Sequence, residues 1–307
     1  MITERNSIAL SLSQFVPPFQ AENGVNMKYA IIVDSGCDMR RDDFSYDSEP
    51  ILFHRVPLEL RIGDKVFTDD FSLNVEDFMQ EMEACNEAAG SAAPSPQAWQ
   101  DAYLLADEVF AITITGGLSG SYASAASARD MLSESMPEKK VHIIDSLSTG
   151  PEIGLLVEKL VSLMEQNLTF EQIVTEITAY QKKTHLLFIL ENLDNLVKGG
   201  RVSPLVGKVA GILGIRILGK ASEEGTLALL DKCRGKTAVY DKLISEMMSH
   251  YRGGNIIISH CFQESKAKML ADKIREAYPK AKIKIMRTSG LDSFYAQRGG
   301  LLVGYEA

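Results

Sequence analysis

Two short stretches hold the residues whose types and spacing could do chemistry, and both are built from hydroxyls and small residues. The first, Thr115-Gly116-Gly117-Leu118-Ser119-Gly120-Ser121, follows an apolar, β-branched run from Val109 and precedes an alanine-rich segment reaching Met131. That order predicts a buried strand, a tight turn and a helix. Gly116 and Gly117 free the turn of Cβ atoms, and Ser119 stands where a helix cap or first-turn residue belongs. Free amide N–H groups at such a helix start suit a carboxylate or a phosphate. An ordinary capped helix after a strand has the same signature, so this stretch alone leaves both readings open. The second stretch, Ser91-Ala92-Ala93-Pro94-Ser95-Pro96, predicts a polar loop entering a helix with proline at its first position. It either caps that helix or also carries a hydroxyl toward the anion site.

Catalytic patterns are weaker. Gly117-Leu118-Ser119-Gly120-Ser121 approaches the nucleophile elbow G-x-S-x-G but ends on Ser121 where glycine belongs. A serine-dependent hydrolase or acyltransferase acting on a small ester through Ser119 is the enzymatic alternative. It needs a general base within hydrogen-bond reach, and the sequence shows none. His54, His142, His185, His250 and His260 form no recognisable pairing, and His142 and His185, inside or beside apolar runs, read as buried structural histidines. The phosphate-binding GxxxxGK[ST], the zinc-binding HExxH and the calcium-loop patterns are absent, so no cofactor and no metal is expected. Acidic residues are abundant but show no spacing that singles out an acid–base pair. Asp34 and Asp145, each at the end of an apolar run, are expected as cap or turn formers.

These side chains need elements to position them. Strand-like runs at Tyr29 to Val33, Phe53 to Arg61, Val109 to Thr115 and Val141 to Asp145 alternate with helical patterns at Val75 to Glu87, Pro96 to Leu105, Ser119 to Ser133 and Glu152 to Gln166. The alternation predicts an α/β protein with a mostly parallel sheet wrapped by helices, its ligands at the carboxyl edge of the strands. A second half opens with a capping box at Thr169 to Gln172, on a helix reaching about Lys183, and continues with a buried strand at His185 to Leu190. A tight turn at Lys198 to Arg201 leads into an apolar, glycine-rich stretch that Lys208 and Arg216 break too often for a stable membrane span. Beyond a hairpin at Glu224-Gly225, helices at Lys236 to Ser249 and Glu264 to Tyr278 alternate with strands at Asn255 to His260 and Lys282 to Arg287. The organisation expected is an extension at 1–26, an N-terminal α/β domain at 27–167 and a C-terminal α/β domain at 168–307. The final segment returns to a buried groove between the two.

The 307 residues, 45% of them hydrophobic, suffice for two cores, and a net charge of -9 argues against nucleic acid as a partner. Cys37, Cys85, Cys233 and Cys261 are scattered without a CxxC pair, as expected of reduced thiols in a cytoplasmic protein.

Five landmarks then fall in register: VDSGCD at Val33 to Asp38, SAAPSP at Ser91 to Pro96, TGGLSGSYASA at Thr115 to Ala125, KGGRVS at Lys198 to Ser203, and GGLLVGY at Gly299 to Tyr305. Together they resemble the DegV-type fatty-acid-binding proteins of bacteria over nearly the whole span from Met27 to Tyr305. The resemblance implies a two-domain α/β fold with a tunnel for one long-chain fatty acid, which is presented to a partner fatty-acid kinase for phospholipid synthesis. It implies a carrier and no catalysis. By the resemblance, Ser91 replaces a loop threonine, and Ser119, with Gly117 and Gly120, forms the carboxylate-binding turn. Tyr295 falls where the family has a histidine, and Arg201 matches a turn arginine associated with kinase docking. Further polar contacts are expected from Ser35, Ser95, Thr115 and Arg298, while Ala92 and Gly116 depart from family serines. A sixteen-carbon tail would gain roughly 11 kcal/mol at about 0.8 kcal/mol per methylene, before association costs. A carboxylate at a helix N-terminus adds only about 0.3 to 2 kcal/mol. Affinity then comes from the tail and orientation from the head group. A lipid-responsive regulatory sensor is a third reading.

Overall fold

A computed structural model describes residues 28–43, 45, 51–85, 87–203, 215–235 and 237–307. The extension at 1–26 and residues 204–214 of the glycine-rich stretch lie outside the described residues. Along the chain run β1 (Tyr29–Asp34), β2 (Ile51–Val56), β3 (Glu59–Ile62), β4 (Lys65–Thr68), α1 (Val75–Ala84), β5 (Ala89–Ala92), α2 (Pro96–Tyr103), β6 (Glu108–Thr113), α3 (Ser121–Ser135) and β7 (Lys140–Asp145). The helices α4 (Pro151–Met164) and α5 (Phe170–Gln181) lead to β8 (Thr184–Leu190), α6 (Asp194–Lys198), β9 (Ile215–Ala221) and β10 (Leu227–Arg234). The chain closes with α7 (Ala238–His250), β11 (Asn255–His260), α8 (Glu264–Ala277), β12 (Lys282–Arg287), α9 (Gly290–Ala296) and β13 (Leu301–Glu306).

All six residues of β1 are buried, the pattern of a strand covered on both faces. It sits inside a parallel four-stranded sheet in the order β2-β1-β6-β7. The second sheet has the order β10-β9-β8-β13-β11-β12, and only β11 and β12 run parallel in it. Parallel pairing thus belongs chiefly to the first half. Phe53 to Arg61, expected as one strand, is two strands in different sheets. Pro57 lies between them and has no N–H to continue a ladder.

Helix α4 joins the two halves. Eleven of its fourteen residues are buried, so it is apolar nearly all round, as a helix enclosed by sheets must be. It touches β1 on one side and β8, β11 and β13 on the other, and one hydrophobic cluster runs from Ile31 and Phe110 through Leu156 and Leu160 to Ile257 and Met286. The capping box at Thr169 forms as expected, with Gln172 N donating to Thr169 Oγ1 and Thr169 N to Gln172 Oε1. His142 and His185 are half-buried, and desolvation lowers both imidazole pKa values. Among the described residues no helix is long and apolar enough to cross a membrane, and all four cysteines are free thiols.

Candidate functional site

Strand order reverses between β1 and β6, and ligands of open α/β sheets sit where the carboxyl ends diverge at such a point. Asp34, the last residue of β1, secures that split. Its buried carboxylate accepts hydrogen bonds from Gly36 N (2.9 Å), Ile114 N (2.9 Å) and the Ser121 hydroxyl (2.5 Å). Burial pushes its pKa up to about 6, against the pull of these donors.

The turn after β6 spends its amides on itself. Gly116 N donates to Asp145 Oδ1 (3.0 Å), Gly117 N to Thr115 Oγ1 (3.1 Å), and Leu118 N and Ser119 N both donate to Thr115 O. The free N–H groups expected from the sequence are therefore already satisfied across Gly116 to Ser119. Gly120, without a side-chain bond, is the N-cap of α3, so Ser119 precedes the cap instead of forming it. Ser119 Oγ accepts from Ser121 N at 3.3 Å, which leaves its hydroxyl proton able to donate elsewhere. Close approach explains Gly117: a Cβ there would lie 2.9 Å from the carbonyl oxygens of Glu224 and Gly225. The β9–β10 hairpin tip rests on this turn, and Thr115 Oγ1 donates to Gly225 O at 2.7 Å.

Under the hairpin and the turn lies a cavity enclosing about 770 Å³ of empty space, its opening to solvent included. Leu186, Phe188 and Leu190 alternate along β8 and so line it from one face of the sheet, joined by Leu302, Ala221 and Leu227. Ile114, Leu118, Leu147, Leu291 and Ala296 line it as well. Gly219 makes room for Phe188: the two are register partners, and a Cβ on Gly219 would run into the ring.

Hydroxyls, one guanidinium and the carboxyl of Asp292 break this apolar wall. Ser91, from β5, meets Tyr295, from α9, at 2.9 Å between hydroxyl oxygens. Ser119 and Arg201 line the same cavity. Arg201 is held by donating from Nη1 to Gly199 O (2.6 Å) and from Nε to Leu118 O (3.2 Å), with its guanidinium 5.6 Å from the Tyr295 ring centre. Its Nη2 makes no hydrogen bond among the described residues. Ser91, Ser119, Tyr295, Thr115 and Arg201 are thus brought to one cavity. No histidine or carboxylate hydrogen-bonds Ser119 among the described residues, so a hydrolytic nucleophile there would lack its base.

Other residues picked from the sequence lie elsewhere. Gly117 and Gly120 shape the turn but do not line the cavity. Ser35 is occupied, donating to Asp69 O (2.9 Å) and accepting from Leu58 N (2.8 Å). Ser95 is the N-cap of α2. Arg298 pairs with Glu76 and Glu83 and stacks on Phe262, away from the cavity. Conversely, Thr149 and Asp292, which no sequence pattern marks, line the cavity. Isolated acidic and hydroxyl residues carry no motif, and only the packing of α9 reveals them.

The family model described as "Uncharacterised protein, DegV family" matches residues 28–305. The chain belongs to the DegV family. A DegV domain-containing protein of Streptococcus pneumoniae is 49% identical over 284 residues, covering 91% of this chain and 99% of that one. Another, from Streptococcus pyogenes serotype M1, is 48% identical over 281 residues, covering 91% of this chain and 100% of that one. Among solved structures, the Streptococcus pneumoniae Fatty Acid Kinase (Fak) B3 protein loaded with linoleic acid matches with a TM-score of 0.88 at 48% identity, covering 91% of this chain and 99% of that one. A DegV family protein from Eubacterium eligens loaded with heptadecanoic acid matches with a TM-score of 0.85 at 36% identity, covering 91% and 99%.

Proposed function

We propose that this DegV protein binds one long-chain fatty acid, tail in the cavity and carboxylate at Ser91, Ser119, Tyr295 and Arg201, and presents that carboxylate to a partner fatty-acid kinase. The observation that carries the reading is a chiefly apolar cavity whose wall also carries Ser91, hydrogen-bonded to Tyr295, together with Ser119 and Arg201. Such a cavity distinguishes the two ends of an amphiphile. Burial of methylenes supplies affinity, while charge-assisted hydrogen bonds at one end set the direction. The linoleic and heptadecanoic acids held by the two solved relatives support this ligand class, and the kinase named for the pneumococcal relative supports the partner. Arg201, partly exposed at the cavity, is positioned to serve both head group and partner. We read the chain as a carrier divided into the domains 27–167 and 168–307, with the cavity between them, and place it in the cytoplasm.

Native mass spectrometry of the purified protein, followed by organic extraction, tests the ligand. One fatty acid per chain is expected. A chain that retains none, and binds none below micromolar concentration, overturns the reading. Adding a fatty-acid kinase and ATP to the loaded protein tests presentation, with ATP consumption expected only in the presence of bound acid.

A further inference from the structure

Asp292 lies one helical turn before Tyr295 on α9 and lines the same cavity. Its Oδ1 accepts from the Thr149 hydroxyl at 2.8 Å, and its Oδ2 receives no hydrogen bond. Asp38 faces it from the segment after β1. There Oδ1 accepts from Ser289 N at 2.6 Å, while Oδ2 also lacks a formed hydrogen bond, with the Ser259 hydroxyl beside the carboxyl. The two orphan oxygens converge: a Cβ built on Gly150 would stand 2.7 Å from Asp292 Oδ2 and 2.9 Å from Asp38 Oδ2. Both residues are only 4% exposed.

Two ionised carboxylates do not tolerate each other in such a place. Like charges this close and this dry hold a proton between them, as paired carboxyls do in general. Burial drives both carboxyls upward, Asp292 well above the ordinary carboxylate range. The charged and titratable groups around the pair are Arg55, whose cation favours ionised Asp38, Asp69, whose charge opposes ionised Asp292, and Cys37, a thiol that burial keeps neutral. The pair also has a mechanical position. The first turn of α9 hangs on acids from the N-terminal half, with Ser289 N bound to Asp38 and Gly290 N (3.1 Å) and Leu291 N (2.7 Å) bound to Asp69. The other end of α9 delivers the Tyr295 hydroxyl to Ser91.

We propose that Asp38 and Asp292 share one proton through their facing Oδ2 atoms and act as positioning residues, seating α9 so that Tyr295 meets the ligand's acidic end beside Ser91. The ligand part of this inference rests on the fatty-acid reading. The shared proton does not. Loss of that proton sets two like charges against each other and loosens α9, so the grip on the carboxylate weakens as pH rises.

Asp292→Asn tests it, because the carboxamide donates to Asp38 Oδ2 at every pH. Fatty-acid affinity is measured for wild type and variant across about pH 8 to 10.5, where the shared proton is expected to leave, and their ratio removes the ligand's own ionisation. Wild type is expected to lose affinity with pH by up to tenfold per unit, the slope of one linked proton, relative to a variant that stays flat. Equal slopes overturn the proposal. A second measurement needs neither variant nor lipid: infrared spectra of the wild type at about pH 8.5, above the values near 6 for Asp34 and Asp69 and near 7 for Glu152, are expected to retain the carbonyl band of a protonated carboxylic acid. Absence of that band overturns the shared proton, even where fatty acid binds tightly. Conversely, a chain that shows the band but binds no fatty acid keeps the pair and loses the carrier reading.

Discussion

Ser119→Ala separates a head-group contact from a merely structural one. The hydroxyl has one known role within the fold, accepting from Ser121 N at 3.3 Å at the start of α3, and its removal costs a neutral hydrogen bond of about 1 kcal/mol. That loss lowers the melting temperature and falls equally on every ligand. If the hydroxyl proton also serves a carboxylate, a further loss of about 1.5 to 3 kcal/mol applies to a free acid, a roughly 10- to 150-fold weakening. A methyl ester offers only a neutral acceptor, and its loss is about 0.5 to 1.5 kcal/mol, roughly 2- to 10-fold. The apolar wall formed by Leu186, Phe188, Leu190 and Leu302 is untouched, so both ligands keep the same methylene contribution. Displacement of a fluorescent fatty acid by palmitic acid and by its methyl ester gives the two affinities directly. The expected result is a larger loss for the acid. Equal losses for acid and ester would remove Ser119 from the head-group site and reduce it to a helix-start residue.

Gly150→Ala is expected to destabilise the protein severely, because Gly150 has φ +57° and a Cβ would press on Asp38 and Asp292, and an unchanged melting curve would refute the packing described there. Gly219→Ala should drive the Phe188 ring off its seat and into the cavity, so long acids lose affinity more than short ones in a chain-length series; uniform loss across the series would contradict that geometry. Burial raises Glu152 to about 7, although the Thr184 hydroxyl donates to it at 2.7 Å. An unfolded glutamate titrates near 4.3, so the folded state binds the extra proton, and this contribution to stability is present below that value and lost as pH rises through about 7. Glu152→Gln should therefore flatten the decline of urea midpoints between about pH 5 and 8, and a steeper decline in the variant would reverse the argument.

Much of the first half was legible because its strands are apolar on both faces and its helices carry caps. Tyr29–Asp34 and Glu108–Thr113 needed only their β-branched, hydrophobic runs, and the Thr169 capping box announced α5. Strand β5 was not legible. Ala-Gly-Ser-Ala has no strand preference of its own, and it is extended because Ser91 pairs with Leu60 of β3. The cavity's hydroxyls could be picked out from the sequence as candidates, but their partners could not. Ser91 and Tyr295 are 204 residues apart, and nothing local foretells that their oxygens meet. Likewise Arg201 and Arg298 look alike as residue types. The turn at Lys198 to Arg201 aims one at the cavity, while Glu76 and Glu83 claim the other.

On the proposed reading, the turn's amides also require the head-group site to be made of side chains. A glycine-rich strand-to-helix turn ordinarily offers an anion its backbone N–H groups, yet here Thr115 takes three of them and Asp145 a fourth. The turn becomes a rigid platform, and the β9–β10 hairpin lands on it through Thr115 and Gly225. A backbone nest would hold any small anion, including phosphate, with little regard to what is attached. Hydroxyls from β5, α9 and the turn, set in the wall of a chiefly apolar cavity, favour an anion that brings a long hydrocarbon with it. On the proposed reading, selectivity for an amphiphile over a free anion follows from satisfying the backbone internally and leaving side chains, Ser91, Ser119, Tyr295 and Arg201 among them, to meet the charge. Inorganic phosphate at millimolar concentration should accordingly fail to displace a bound fatty acid, and efficient displacement would show that backbone amides, not these side chains, hold the head group.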